Sequence, residues 1–305
     1  MKTNYFGIDI GGTKIKSILL NEQDEIIEQN ETLTEDSSAQ PKRWKQKVID
    51  LINIKSQELD PQNKGLVQFG ISAPGLTDAS NTQILHMPGR LAGLEHYNWS
   101  TELNKNIYVV NDGHSACLAE YHSYYKQKNI QNLLLLTLGT GVGGGAILDG
   151  KLFQGAIQRA GHFGHITIDH TGSSIATNMV GSLEYAMGNF SVSERTHGKY
   201  TSVKELVSSY RQGEELASYW WLSSIQKLAT GLVSLSNAFS PEIIVLGGGI
   251  TTGSGDDLMN PLHKFMSLYE WRPGSHQVKV IQAQHKEFAG AIGAAFFAKS
   301  QINQL

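Results

Sequence analysis

Thiols are nearly absent: Cys117 is the single cysteine in 305 residues. One thiol can build neither a disulfide framework nor a multi-cysteine metal site within a chain, so a reducing cytoplasm is the expected setting. Long apolar runs are missing too. No stretch approaches the roughly 18 apolar residues of a membrane-spanning helix. Met1-Lys2-Thr3-Asn4 leads directly into a short strand without an apolar signal core, so no secretory leader is expected. Charge of one sign is not concentrated. Lys and Arg number 25 against 28 Asp and Glu, giving a net charge of −3. With no basic block, nucleic acid is not expected as the main partner. Proline is sparse, at 7 residues, and no proline-rich linker or low-complexity tract breaks the chain. Hydrophobic residues make up 40%, enough for two lobes with separate cores.

Glycine, at 32 residues, is plentiful and clustered. Leu133 to Leu138 run into Gly139-Thr140-Gly141-Val142-Gly143-Gly144-Gly145, and Ala146-Ile147-Leu148 continues as a returning strand. Glycines let a backbone approach a ligand closely, and their amides can point at phosphate oxygens. The run matches G-x-G-x-x-G at Gly139, Gly141 and Gly144, but a dinucleotide fold requires a helix next and an acid about 20 residues on. Ala146 to Phe153 reads instead as a hairpin around one Asp-Gly turn. No Gly-Lys-Ser/Thr follows, which excludes a Walker A loop. The same device opens the chain: the strand Tyr5 to Ile10, the turn Gly11-Gly12-Thr13 and the alternating strand Lys14 to Leu20. A third glycine turn, Gly247-Gly248-Gly249, follows Ile243 to Leu246. Two related hairpins and a third turn suggest a duplicated α/β architecture with a nucleotide between its halves, as in the actin-like ATPase and sugar kinase fold.

Between these landmarks, Glu25 to Glu28 reads as a third strand, Glu31 to Gln40 as a loop and Arg43 to Leu59 as a helix with Trp44, Val48, Leu51 and Ile52 at helical spacing. Leu66 to Ile71 is a strand ending at Ser72-Ala73-Pro74-Gly75. Asn81 to Trp99 is irregular, with Pro88, His86, His96 and Tyr97, and is either a binding loop or a surface excursion. The strand Ile107 to Val110 leads to Asn111-Asp112 and a helix from Gly113 to about Tyr125. Asp112 suits a helix cap as well as it suits chemistry. Helices are expected from Gly181, over Thr201 to Ser209, and over Gly213 to Phe239 with Leu216, Trp220, Ile225, Leu228, Leu232 and Leu235 as its core stripe. Another should open at Asn260-Pro261 as a cap and first-turn proline. His276 to Gln282 is a strand, and a small-residue helix begins near Phe288. His162, His165, Asp169 and His170 invite a metal reading, against the simpler one of a loop entering a strand.

Taken in order, eight stretches resemble the ROK family of sugar kinases. They are Asp9-Ile10-Gly11-Gly12-Thr13-Lys14, Ala73-Pro74-Gly75, Val110-Asn111-Asp112-Gly113-His114, Leu138 to Gly145, Ala160-Gly161-His162-Phe163-Gly164-His165, Gly181-Ser182-Leu183-Glu184, Leu246-Gly247-Gly248-Gly249 and Ala289 to Ala295. The resemblance implies an α/β, two-lobed actin-like ATPase (ribonuclease H-like) fold with the active site in the interlobe cleft. Residues 1–112 would form the smaller lobe, residues 113–288 the larger, and the final helix over 289–305 would return to the first. It implies transfer of the γ-phosphate of ATP to a primary hydroxyl of a hexose or N-acetylhexosamine, of glucose, mannose or N-acetylmannosamine type.

By the same resemblance Asp112 is the catalytic base, and Gly75, Asn111, His162, His165 and Glu184 bind the sugar. Asp9, Gly11, Gly12, Thr13 and Lys14, with Gly139, Thr140, Gly141 and Gly143, hold phosphates, Asp9 lying near the Mg²⁺ that accompanies ATP. Gly247, Gly248 and Gly249 flank the adenosine. The chain departs from the family twice. His162 stands where the family commonly has Glu, as in some bacterial N-acetylmannosamine kinases. The stretch Ile175 to Glu184 lacks the three cysteines of the family's zinc segment, so no zinc is expected. The implied partners are a sugar and ATP, with a homodimer left open. The alternative is a sugar-sensing regulator of the same family; such repressors carry a helix-turn-helix ahead of the first glycine hairpin, and only eight residues precede Asp9 here.

Overall fold

A computed structural model describes residues 3–36, 42–62, 64–87, 89, 91–173 and 179–302. The chain divides into two compact units: Met1–Lys128 with Gln154–Ala160 and Glu287–Leu305, and Asn129–Phe153 with Gly161–Lys286.

The first unit is built on a five-stranded sheet of β1 (Asn4–Ile10), β2 (Lys14–Leu20), β3 (Ile26–Leu33), β4 (Val67–Ala73) and β7 (Ile107–Asn111), in the order β3-β2-β1-β4-β7. β1 pairs antiparallel with β2 and parallel with β4, and β4 pairs parallel with β7. A two-stranded ribbon joins β5 (Leu76–Thr77) to β6 (Ile84–His86). The helices are α1 (Arg43–Leu59), α2 (Trp99–Leu103), α3 (Asp112–Glu120) and the final α10 (Ala289–Ile302).

Both faces of this sheet are covered, and the period-two alternation of β1 assigns its residues to them. Phe6, Ile8 and Ile10 pack in one cluster with Trp44, Val48 and Ile52 of α1. Tyr5 lies with Ala291, Ile292, Ala295 and Phe296 of α10 in another. Gly7 and Gly70 are the points of closest approach: a Cβ on either would collide with the carbonyl of Ala291 or Ala294. The small residues that open the final helix thus let it lie directly on the sheet.

The second unit repeats the plan. Its sheet contains β8 (Leu133–Leu138), β9 (Val142–Leu148), β10 (Lys151–Leu152), β11 (Ile243–Gly247) and β12 (Lys279–Gln282), ordered β10-β9-β8-β11-β12. An antiparallel β8–β9 hairpin is again extended by parallel strands. Its helices are α4 (Leu183–Met187), α5 (Val192–Arg195), α6 (Val203–Arg211), α7 (Glu215–Phe239), α8 (Gly248–Ser254) and α9 (Asp256–Tyr269). The core gathers leucines of β8 with Trp221, Ile225, Leu228 and Leu232 of α7.

Four sequence expectations change. β3 runs on to Leu33, into what read as a polar loop, because its residues need only pair with β2 at the sheet edge. The division does not fall after Asp112. Ser115 Oγ of α3 donates to Gly290 O at 2.7 Å, and Gly293 leaves no room for a Cβ against Ser115 O, so α3 belongs with α10 and the first unit. The core stripe of α7 holds at Ile225, Leu228, Leu232 and Leu235 but is displaced by one residue at its start: Leu216 is 44% exposed and Trp220 only partly buried, whereas Ala217 and Trp221 are fully buried. Finally, α9 begins at Asp256, with Pro261 inside it. Proline supplies no N–H to the carbonyl four residues back. That carbonyl, Asp257 O, instead accepts Trp221 Nε1–H at 3.0 Å, so a side chain from α7 makes the interior proline tolerable.

Candidate functional site

In the first unit the chemistry-bearing residues sit where parallel strands end. Asp9 shares its face of β1 with Gly7 and therefore points toward α10. Ser72 Oγ, at the end of β4, donates to Asp9 Oδ1 at 2.6 Å. A Cβ on Gly290 would strike the Asp9 carboxylate, so α10 also approaches closely here. Burial raises the Asp9 pKa, against the opposing pull of the Ser72 hydrogen bond and of Lys16. After β1 the turn closes through Gly11 N donating to Lys14 O at 3.1 Å, leaving Gly12 and Thr13 exposed. Lys14 is exposed as well and pairs with Glu31 at 2.6 Å.

At the end of β7 the structure separates Asn111 from Asp112. Asn111, 5% exposed, is the cap of α3: its Oδ1 accepts from Gly113 N at 2.9 Å and His114 N at 3.3 Å, and its Nδ2 donates to Gly75 O at 2.9 Å. Gly75 has φ +107°, and a Cβ there would lie 2.6 Å from His86 O, so glycine is required where the strand turns toward Asn111. The cap that Asp112 suited by sequence is Asn111, and Asp112 Oδ1 shares the Gly113 amide with it, accepting at 2.8 Å. Asp112 is the first residue of α3, exposed at the end of a helix whose other residues are all buried. His114, fully buried, bonds Ala160 O at 2.5 Å, and burial lowers its pKa.

The segment 81–99 is more ordered than an excursion. Leu91, Leu94 and Trp99 are core residues, and Tyr97 stacks edge-on to Trp99 with Lys45 Nζ 3.9 Å from its ring centre. Pro88 lies outside the described residues.

In the second unit the β8–β9 turn is gripped by one element. Asn189 N and Phe190 N, just past α4, donate to Gly139 O and Thr140 O, each at 3.0 Å. In a trans peptide the N–H points opposite to the C=O. Pinning these two carbonyls therefore aims the Thr140 and Gly141 amides outward, and among the described residues neither amide donates to a protein acceptor. At the other end of α4, Glu184 Oε2 accepts from Val142 N at 3.0 Å. Gly143 lies on β9, opposite Thr137. The glycines of this run divide by surroundings. A Cβ on Gly139 would meet nothing within 4 Å, whereas one on Gly144 would lie 2.6 Å from Leu135 O and 2.8 Å from both Gly161 O and Phe163 Cδ2. Gly144 packs the turn carrying His162 onto the hairpin.

That turn brings His162 and His165 together, with ring centres 5.8 Å apart. Leu183 N donates to Ile166 O at 3.0 Å, and the Ser182 side chain caps α4 by accepting from Tyr185 N. Glu184 is thereby held beside the histidine turn. Asp169 is engaged elsewhere, with Thr171 and with Lys227 Nζ at 3.2 Å. Among the described residues no group of three or more His, Cys, Asp or Glu could hold a metal ion. Ile175 to Asn178 of the cysteine-free stretch lie outside the described residues. Gly247 ends β11, Gly248 takes φ +89° against β8, and Gly249 has open space around its Cα. No helix among the described residues is long and apolar enough to cross a membrane.

The chain is similar over nearly its whole length to known proteins. The chain is 27% identical to a glucokinase of Halalkalibacterium halodurans, over 99% of this chain and 96% of that protein. It is 27% identical to an N-acetylmannosamine kinase of Salmonella newport, over 96% of this chain and 97% of that protein. Its fold is that of a ROK family glucokinase from Streptomyces griseus solved in complex with glucose and AMPPNP, with a TM-score of 0.73, 24% identity and coverage of 98% and 100% of the two chains. The model of the ROK family matches residues 5–301, and the chain belongs to that family.

Proposed function

We propose that this protein is an ATP-dependent sugar kinase acting on a primary hydroxyl of a hexose or N-acetylhexosamine, with Asp112 as the base. The observation that carries this reading is the division of labour between Asn111 and Asp112. Asn111 caps the buried helix, while Asp112, whose Oδ1 accepts from Gly113 N at 2.8 Å, presents an exposed carboxylate at its first turn, as a base for a substrate hydroxyl requires. The sugar hydroxyl oxygen forms a bond to the γ-phosphorus while the bond from that phosphorus to the β–γ bridging oxygen breaks and ADP departs. The hydroxyl proton passes to Asp112. A carboxylate suffices because the hydroxyl becomes acidic only as its bond to phosphorus forms, and positioning and charge stabilisation do the rest.

The outward amides of Thr140 and Gly141 suit phosphate oxygens, and the open space at Gly139 and Gly249 admits a ligand close to the backbone. Asp9 fits a role near the metal-bound phosphates, since a nearby cation would offset the cost of its burial. Mg²⁺ bound with ATP supplies charge compensation to the phosphates. Asn111 has one Nδ2 proton beyond its bond to Gly75, enough for one sugar oxygen. His162, His165 and Glu184 are the sugar-facing set of the second unit. Phosphorus NMR of products from glucose, mannose, N-acetylglucosamine and N-acetylmannosamine incubated with Mg-ATP tests the reading. A 6-phosphate of one of them is expected, and ATP left intact with all four would refute it.

A further inference from the structure

We propose that Glu184 is a positioning residue for the nucleotide loop, so that the carboxylate proposed to meet the sugar also sets the phosphate-binding amides. The proposal deepens the kinase reading and rests on it. Three bonds from α4 and the residues just past it hold the turn between β8 and β9. The Asn189 and Phe190 amides take the carbonyls of Gly139 and Thr140, and Glu184 Oε2 takes the amide of Val142. The first two fix which way the Thr140 and Gly141 amides point. The third fixes where the turn ends and β9 begins.

The Glu184 side chain also lies against the loop itself. A Cβ on Gly141 would fall 2.6 Å from its Oε2 and 2.9 Å from its Cδ, so glycine there leaves exactly the room this carboxylate occupies. The start of α4 is fixed independently by Ser182, whose hydroxyl accepts from Tyr185 N, and by Leu183 N bonded to Ile166 O in the histidine turn. Glu184 therefore has a defined origin and a defined target. A carboxylate has two oxygens. With Oε2 on the Val142 amide, Oε1 remains for a hydroxyl of the sugar, and one group can serve both substrates. Sugar bound at Oε1 then stiffens the same carboxylate that holds the loop, which makes binding of sugar and nucleotide mutually favourable.

The test is AMPPNP affinity measured by calorimetry with no sugar present, a quantity that a ligand of sugar alone would not move. Glu184→Ala should weaken AMPPNP binding by about tenfold, as expected for loss of one charge-assisted hydrogen bond at a part-exposed site. Glu184→Gln keeps the size and one acceptor oxygen, and should restore most of that affinity while the KM for sugar stays raised. Gly141→Ala, whose new methyl would displace the Glu184 carboxylate, should reproduce the loss in a chain that still carries Glu184. Thermal melts of all three identify any that fail to fold, and the remaining variants carry the comparison. Unchanged AMPPNP affinity in Glu184→Ala, with only the sugar KM raised, would overturn the proposal. A parent protein that bound no AMPPNP would overturn the nucleotide reading and this proposal with it.

Discussion

Alanine at Gly144 and alanine at Gly139 should have opposite consequences, although both glycines belong to one G-x-G-x-x-G match. A methyl on Gly144 would lie 2.6 Å from Leu135 O, 2.8 Å from Gly161 O and 2.8 Å from a Phe163 ring carbon. Two of these neighbours are backbone and cannot rotate away; one is a strand partner, the other anchors the histidine turn. Overpacking of a well-filled core costs about 1–3 kcal/mol, and with backbone on two sides the upper end applies. At about 2–4 °C per kcal/mol for a domain of this size, the melting temperature should fall by roughly 6–12 °C. At Gly139 no atom lies within 4 Å and φ is not in the left-handed region, so alanine is accommodated. The more restricted unfolded chain should leave stability unchanged or higher by about 0.4–1 kcal/mol, while the methyl enters the space assigned to phosphates. Calorimetric melts and an ATP titration of each variant measure both effects. If Gly144→Ala melts like the parent but loses ATP affinity, or Gly139→Ala unfolds early and binds ATP normally, the division of this run into a packing glycine and a ligand-facing glycine is wrong.

Asp9→Asn should abolish most turnover yet raise the melting temperature near neutral pH. Burial raises the folded-state pKa of Asp9, so ionising it costs the folded state stability as pH climbs from the ordinary carboxyl range through the raised value; the gain from Asn should therefore be present at pH 7 and vanish below about pH 4. The purified protein should carry no stoichiometric zinc and keep its activity with Mg-ATP after a zinc-selective chelator; elemental analysis finding about one zinc per chain, with activity lost on its removal, would revive the histidines as ligands.

The sequence was most legible where local period and turn chemistry agree. Both glycine hairpins form as antiparallel pairs, and α1 spans the residues its apolar spacing marked out. Legibility failed where a distant partner decides. Nothing local to Asn260-Pro261 reveals that Trp221 waits for the carbonyl that the proline frees. Nothing local to α3 reveals that Ser115 reaches Gly290, which draws the helix into the first unit. The one-residue shift at the start of the α7 stripe has a similar origin. Leu216 and Trp220 are as apolar as Ala217 and Trp221, and packing against the rest of the unit chooses between them. At the site, the sequence marked Asn111 and Asp112 as a pair but read Asp112 as suited to the cap as well as to chemistry. Only geometry assigns the cap to Asn111. The contact of Glu184 with the glycine turn had no sequence signal beyond a small residue at Gly141, because it joins segments 42 residues apart.

The role of Asp112 as the base is read most directly from the turnover of Asp112→Ala, measured as sugar-dependent ADP release under saturating Mg-ATP with the sugar that the parent phosphorylates best. Because Asn111 provides the cap, the variant should fold and melt as the parent does. Its turnover should fall by about 10²–10⁴-fold, the range lost with a general base. A folded variant that turned over at near-parent rates would contradict the assignment of Asp112 as the base.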